Sequence, residues 1–206
     1  MITPRLLDVY ARQERICNYF DMPMQHVSDR LLRSMKRGYR QRTLFRLLDQ
    51  IRQRMPDAAI RTTFIVGFPG ETPADVDALL RFLEEAQLDR VGVFTYSLEE
   101  GTPSYDMPGR VPAREATRRR REVMTLQQEI SFRKHQALVG QQAWVLIDDD
   151  ATEDSPAVGR LASQAPEIDG VVTVDGPVVS GDLVRVEITA AEAYDFTARL
   201  VPSDVR

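Results

Sequence analysis

The chain has 206 residues, 43% of them apolar and 28% charged, with a net charge of −4. That length builds a hydrophobic core in one or two domains, and that composition excludes a disordered or collagen-like polymer. No window approaches the roughly 18 uninterrupted apolar residues of a membrane span, and Met1-Ile2-Thr3-Pro4-Arg5 leads into no apolar signal run, so a cytoplasmic location is expected.

In chain order, Asn18–Met22 reads as a strand closed by Pro23. Ser28 is expected to cap a helix over Asp29–Arg37, with Gly38 as its C-terminal stop. Leu44, Leu47, Leu48 and Ile51 then recur at helical spacing before Pro56. Ile60–Val66 is a β-branched and aromatic strand ended by Gly67. Thr72-Pro73-Ala74-Asp75 opens the next helix, with Thr as cap, Pro in the first turn and an acid facing the helix dipole. Leu79, Leu80, Phe82 and Leu83 supply its apolar side. Arg90–Tyr96 is a further strand, and a long polar helix is expected from about Pro112 to Ala137. Alternating strands and helices predict βαβ units and a parallel sheet, and three strands are too few to close a (β/α) barrel. The sheet therefore reads as part of one.

The texture changes after Gly140. Ala143–Ile147, Ala157–Arg160, Val171–Val174, Leu183–Ile188 and Asp195–Leu200 are short strands divided by Gly, Pro and Asp turns, the pattern of a small OB-like β-barrel. Charge changes at the same place. Met1–Ala137 holds 23 Lys and Arg against 18 Asp and Glu, whereas the remainder holds 4 against 13, a balance of −9. We therefore expect two domains, 1–137 and 138–206, with different partners.

Three local features bear on chemistry. Phe64-Ile65-Val66-Gly67-Phe68-Pro69-Gly70-Glu71-Thr72 runs a strand into a glycine turn and a capped helix. Such a turn lets the backbone approach a ligand and offers N–H groups to a carboxylate or phosphate; alternatively, its glycines serve only the connection. Pro23-Met24-Gln25-His26 falls at the end of another strand on the same rim, where Gln25 and His26 are candidates to hydrogen-bond a ribose or substrate, although a lone His is more often structural. His135 stands apart on the polar helix. Arg118-Arg119-Arg120-Arg121, interleaved with Glu115, Glu122 and Glu129, reads as a solvated, ion-paired surface rather than an RNA patch.

Tyr19-Phe20-Asp21-Met22-Pro23-Met24-Gln25-His26, Ser28-Asp29-Arg30 with Met35-Lys36-Arg37, and Thr63 through Thr72 together resemble the radical-SAM methylthiotransferases. The second part resembles the TRAM domain of that family. Gly159-Arg160, Ala165-Pro166-Glu167-Ile168-Asp169-Gly170 and Glu192-Ala193-Tyr194-Asp195 are similar to its RimO branch, which methylthiolates the β-carbon of an aspartate in the twelfth small-subunit ribosomal protein. The resemblance implies an α/β partial (β/α) radical-SAM barrel followed by an all-β TRAM barrel. It also implies S-adenosyl-L-methionine as cofactor and, in the full-length family, two 4Fe-4S clusters. By position it points to Gln25, Thr63, Ile65, Gly67, Phe94 and Tyr96 as the S-adenosylmethionine wall, with Glu71 one residue late for the general adenine-contact pattern.

Cys17, the one cysteine, belongs to neither cluster motif of the family, so no metal ligand and no catalytic residue is assigned. The chain thus reads as the C-terminal portion of such an enzyme, inactive without the part that carries the clusters. An acidic second domain suits a basic ribosomal protein and disfavours tRNA, the substrate of the sibling MiaB-type branch. The missing N-terminal half is a further candidate partner. A non-catalytic TRAM-type module docking on a ribosomal protein is the alternative in another class.

Overall fold

The run predicted as a strand at Ile60–Val66 is the middle strand of a three-stranded sheet in a computed structural model of the chain, which describes residues 2–201. In order the elements are α1 (Pro4–Arg12), β1 (Tyr19–Asp21), α2 (Asp29–Ser34), α3 (Gln41–Arg54), β2 (Ala59–Val66), α4 (Pro73–Ala86), β3 (Arg90–Thr95) and α5 (Ala113–Gln136). The all-β part follows as β4 (Gln142–Asp149), β5 (Ala157–Leu161), β6 (Val172–Asp175), β7 (Leu183–Ala191) and β8 (Phe196–Leu200). Two compact units result. One takes the chain through Arg12 together with Phe20–Ile130, and the other takes Gln13–Tyr19 with the chain from Ser131 onward.

In the first unit β2 lies between β1 and β3, and it pairs parallel with β3 from Arg61↔Arg90 to Val66↔Thr95. The period-2 alternation of a strand sends Thr62, Phe64 and Val66 into the core and leaves Thr63 and Ile65 on the opposite, half-buried face. Behind the sheet, Leu44, Leu48 and Ile51 of α3 and Val76, Leu79, Phe82 and Leu83 of α4 join Phe64 in one apolar cluster. Phe82 meets the edge of Phe64 at 6.2 Å between ring centroids and lies 4.8 Å from Phe45. Each such side chain contributes about 1.5–3 kcal/mol through burial.

Helix ends show where local signals succeed and fail. At α4, Asp75 accepts hydrogen bonds from the Thr72 backbone N–H (2.8 Å) and hydroxyl (2.7 Å), as the Thr-Pro-Ala-Asp signature predicts. At α2 the expected stop at Gly38 is corrected. The helix ends at Ser34, and Lys36 itself takes the left-handed conformation (φ 56°), with Arg37 N–H bonding Leu32 O and Lys36 N–H bonding Arg33 O. These two bonds satisfy the terminal carbonyls, so the turn closes without glycine. Nor does Ser28 cap its own helix through its side chain.

The second unit is the expected small barrel, closed in the order β4-β5-β6-β8-β7, with β6 and β8 parallel and the other pairs antiparallel. Val145, Ile147, Val172, Val174, Val186, Ile188, Phe196 and Ala198 fill its interior. Gly170 is obligatory at its place, because a Cβ there would fall 2.0 Å from the Tyr194 carbonyl oxygen. His135 is a peg of this unit: its ring lies 4.3 Å from that of Phe196, and Nδ1 sits 2.9 Å from the Glu192 carbonyl oxygen.

Replacing the fully buried Phe64 by Ala is expected to cost about 3–5 kcal/mol of stability, the loss typical of emptying an aromatic site in a core. Urea unfolding followed by circular dichroism measures it as a lowered midpoint.

Candidate functional site

The site grows from the carboxyl edge of the parallel sheet. β2 leads into Gly67, whose φ of 77° is open to glycine at little cost. Space enforces the same choice, since a Cβ on Gly67 would stand 2.6 Å from the Cβ of Ala116 on α5. The turn that follows is fastened from inside by Glu71. This fully buried carboxylate accepts Gly67 N–H at 2.6 Å and Arg119 Nη1 at 2.7 Å, both on Oε2, and its Oε1 lies 3.2 Å from His26 Nε2. Nδ1 of His26 accepts the N–H groups of Val27 and Ser28, each at 2.9 Å, which places the ring proton on Nε2, directed at Glu71. From outside, Arg30 bonds the Gly70 carbonyl (2.9 Å) and pairs with Asp75, and Gly70 N–H donates to Gly109 O (2.7 Å).

These bonds decide two open readings and correct one expectation. The turn is not an open anion cradle, because the N–H groups of Gly67, Gly70, Glu71 and Thr72 all have internal acceptors. His26 is 0% exposed with both ring nitrogens engaged, so it is structural and cannot reach a ribose. The arginine run is not uniformly solvated. Arg118 is exposed and pairs with Glu115 and Glu122, whereas Arg119 is buried on Glu71 and Arg120 donates to the Val93 carbonyl at 2.8 Å.

The buried pairing of Glu71 with Arg119 is what sequence reasoning missed, and both residues carried a signal for it. Glu71 stands just past the two glycines of the turn. Arg119 falls on the buried stripe of α5, Ala116, Arg119, Val123, Gln127 and Ile130, spaced by three and four residues. A charge on a core-facing stripe calls for a buried partner.

Of the six candidate wall residues the structure brings four together. Gln25, Ile65 and Tyr96 line a cavity of about 260 Å³ with Phe68, Met35 and Pro103. Gly67 and Tyr96 line a neighbouring one of about 190 Å³ that also includes Arg110. Gln25 is held in left-handed geometry (φ 63°), with its N–H on Thr63 O (2.9 Å) and its carbonyl accepting Ile65 N–H (2.8 Å). Tyr96 stands between the cavities, its ring edge-on to Phe68 at 5.2 Å, and its hydroxyl is buried with no hydrogen-bond partner among the described residues. Thr63 and Phe94 line neither cavity. Both share the sheet face of Ile65 and flank Gly92, Thr63 in register with Gly92 and Phe94 with Ile65, and Phe94 is 60% exposed.

Two carboxylates near the turn, Asp75 and Glu115, have lowered pKa values. Burial raises the pKa of Asp75, but hydrogen bonds from Ser28 and Thr72 and the charge of Arg30 outweigh it and leave the group below its usual value. Hydrogen bonds from Arg118 and Arg119 bring Glu115 from 4.5 down to about 2.

Two outcomes are expected. Folded-state values below the unfolded ones stabilise the protein above pH 4.5, and for Glu115 this contribution is lost as pH falls from 4.5 to about 2; acid unfolding should therefore be shallower in Glu115→Gln. Arg119→Met strands the Glu71 carboxylate and should cost on the order of 3 kcal/mol in urea unfolding, part of which Glu71→Gln restores in the double variant.

Comparison with known proteins follows the same division of the chain. Residues 1–83 match the radical SAM superfamily and residues 139–201 the TRAM domain. The ribosomal protein uS12 methylthiotransferase RimO of Anaeromyxobacter sp. strain Fw109-5 is 49% identical over 97% of this chain and 43% of its own length. RimO of Myxococcus xanthus is 46% identical, over 95% of this chain and 42% of its own length, and that of Thermosynechococcus vestitus 42%, over 100% and 46%. The chain therefore spans less than half the length of the curated relatives it matches. Among solved structures, coproporphyrinogen III oxidase HemN of Escherichia coli, a radical SAM enzyme, aligns at a TM-score of 0.54 with 15% identity, covering 78% of this chain and 42% of that one, a likeness of fold.

Proposed function

We propose that this chain, which belongs to the radical-SAM methylthiotransferases of the RimO type, contributes part of an S-adenosylmethionine pocket through its first unit and recognises a basic ribosomal protein through its second. Gln25, Ile65, Gly67 and Tyr96 would hold the cofactor at the sheet edge, with Thr63 and Phe94 continuing the wall along the same face. The observation that carries this reading is the buried Tyr96 hydroxyl facing no partner among the described residues, because a buried donor without an acceptor is costly unless a ligand satisfies it. When bound, S-adenosylmethionine supplies the transferred methyl group and the source of the hydrogen-abstracting radical. The residues of this chain position it, and the Gly67–Gly70 turn, pinned by Glu71, keeps the wall rigid.

The residues present do not fit an iron–sulfur cluster. Cys17 is the one cysteine, and among the described residues no three His, Cys, Asp or Glu side chains are grouped to hold a metal ion. The reaction proposed for the whole assembly, methylthiolation of an aspartate β-carbon in uS12, draws its support from the named relatives. The domain division at 137/138 goes with this reading and is supported by the TRAM match beginning at residue 139. Charge favours a protein substrate over tRNA: the segment from Leu138 carries 13 acidic against 4 basic residues, a field that repels a phosphate backbone.

Calorimetric titration of the full chain with S-adenosylmethionine should show saturable binding, weakened by about tenfold, or ~1.4 kcal/mol, in Tyr96→Phe and in Gln25→Ala. Tyr96→Phe leaves the fold intact, since it removes a hydroxyl that bonds nothing in the described protein. Equal affinity in all three proteins, or no binding, overturns the pocket. In parallel titrations, tighter binding of tRNA than of uS12 overturns the substrate class.

A further inference from the structure

The outer surface of the β-barrel breaks the alternation expected of a strand with one face in water. On β4 the inward residues Val145 and Ile147 are buried, but the outward residues include Trp144, 58% exposed, and Leu146. Leu146 stands in register with Leu183 of β7 on one side and with Arg160 of β5 on the other. Leu183 is itself 63% exposed. Together with Tyr19 and Pro166 these residues line a groove of about 630 Å³ whose lining belongs wholly to the second unit. Scattered apolar residues on a surface need no explanation, but a contiguous groove walled by an indole, a phenol and two leucines marks a contact surface.

The wall of the groove is preformed. Tyr19 Oη donates to Asp169 Oδ2 at 2.7 Å, and the same oxygen accepts Ala165 N–H at 2.9 Å. Gln164 braces the loop from within, accepting Leu161 N–H at 2.9 Å and donating to the Gly170 carbonyl at 2.5 Å. Little ordering cost is left for a ligand to meet.

Charge identifies the occupant. The carboxylates bonded to lining residues or next to them in sequence are Asp148, Glu167, Asp169 and Asp182. Asp148 and Arg160 pair with each other, which leaves Glu167, Asp169 and Asp182 against Arg185, in register with Trp144. An apolar floor with an acidic rim matches a lysine or arginine side chain, which lays its methylene stem on apolar surface, places its cation over an aromatic face and reaches a carboxylate with its head. The same rim repels phosphates.

We propose that this groove is the docking site for an extended Lys/Arg-bearing segment of a basic protein, anchored on Trp144 and Leu183. The proposal rests on the reading of the second unit as the protein-recognition domain and assigns that role a specific surface.

Trp144 is the only tryptophan, so its emission reports on the groove alone. Titrating the full chain with uS12 should shift that emission to shorter wavelength and saturate. By calorimetry, Trp144→Ala and Leu183→Asn should each weaken uS12 binding by at least ~10-fold, the loss of an anchor residue, and Glu167→Lys should weaken it further at low salt than at high salt. The anchors are mostly exposed, so unchanged circular dichroism is expected in every variant. Binding of uS12 that leaves both the emission and the Trp144→Ala affinity unchanged overturns the groove and spares the protein-substrate reading. Absence of uS12 binding overturns that reading and the groove with it. An emission shift with tRNA, or one that follows protein concentration alone with a dimer in sedimentation, assigns the groove to another occupant and overturns the proposal.

Discussion

One buried carboxylate organises the first unit. Glu71 is withdrawn from water, and an ionised group in that position is tolerable only when its oxygens are fully engaged. Its donors come from three different parts of the chain: His26 from the segment after β1, Gly67 from the turn after β2 and Arg119 from the second turn of α5. Satisfying the charge therefore sets the spacing of strand, turn and helix at once. The approach of Ala116 to Gly67 follows, and with it the position of the wall on which Gln25, Ile65 and Tyr96 converge. Apolar packing behind the sheet supplies most of the stability, but it does not by itself select this geometry. The directional bonds of Glu71 do.

Much of the architecture was legible because each element carries a local cause. Period-2 alternation in Ile60–Val66, the Thr-Pro-Ala-Asp helix start and the short strands between Gly and Pro turns act over a few residues, and the structure places each element where those signals put it. What local signals do not reveal is who satisfies a polar group across the fold. The glycine turn was readable as a turn, but its N–H groups meet acceptors from Glu71, Phe68, Gly109 and Asp75, and the contribution of Gly109 is far away in sequence. The end of α2 failed for a different reason: two backbone bonds hold Lys36 left-handed, and the side chain at that position is not the deciding factor. Arg119 hid among identical neighbours, and only its phase relative to Val123 and Ile130 sets it apart.

The candidate wall was half legible on the same grounds. Residues at the strand ends, Gln25, Ile65, Gly67 and Tyr96, gather because parallel strands present their carboxyl ends together. Thr63 shares their face one pair deeper, in register with Gly92, whereas Phe94 stands level with Ile65 and is turned to solvent. Charge was legible as a total and not as a pattern. The acidity of the second domain shows in composition, whereas its concentration around an apolar groove needs the register of β4 with β5 and β7.

The pairing order of the barrel bears on how it comes into being. Its first strand, β4, is zipped to β7, and β6 is zipped to the last strand, β8, in parallel. Neither contact forms by folding back a hairpin: β4 waits for β7 across two intervening strands, and β6 waits for β8 across one. During synthesis β4, β5 and β6 must therefore persist as an unclosed sheet with apolar residues on both sides, Val145 and Ile147 on one and Trp144 on the other. Closure is a non-local event of the kind that slows folding, and until it happens the sheet exposes apolar surface and unpaired strand edges, the features that favour aggregation.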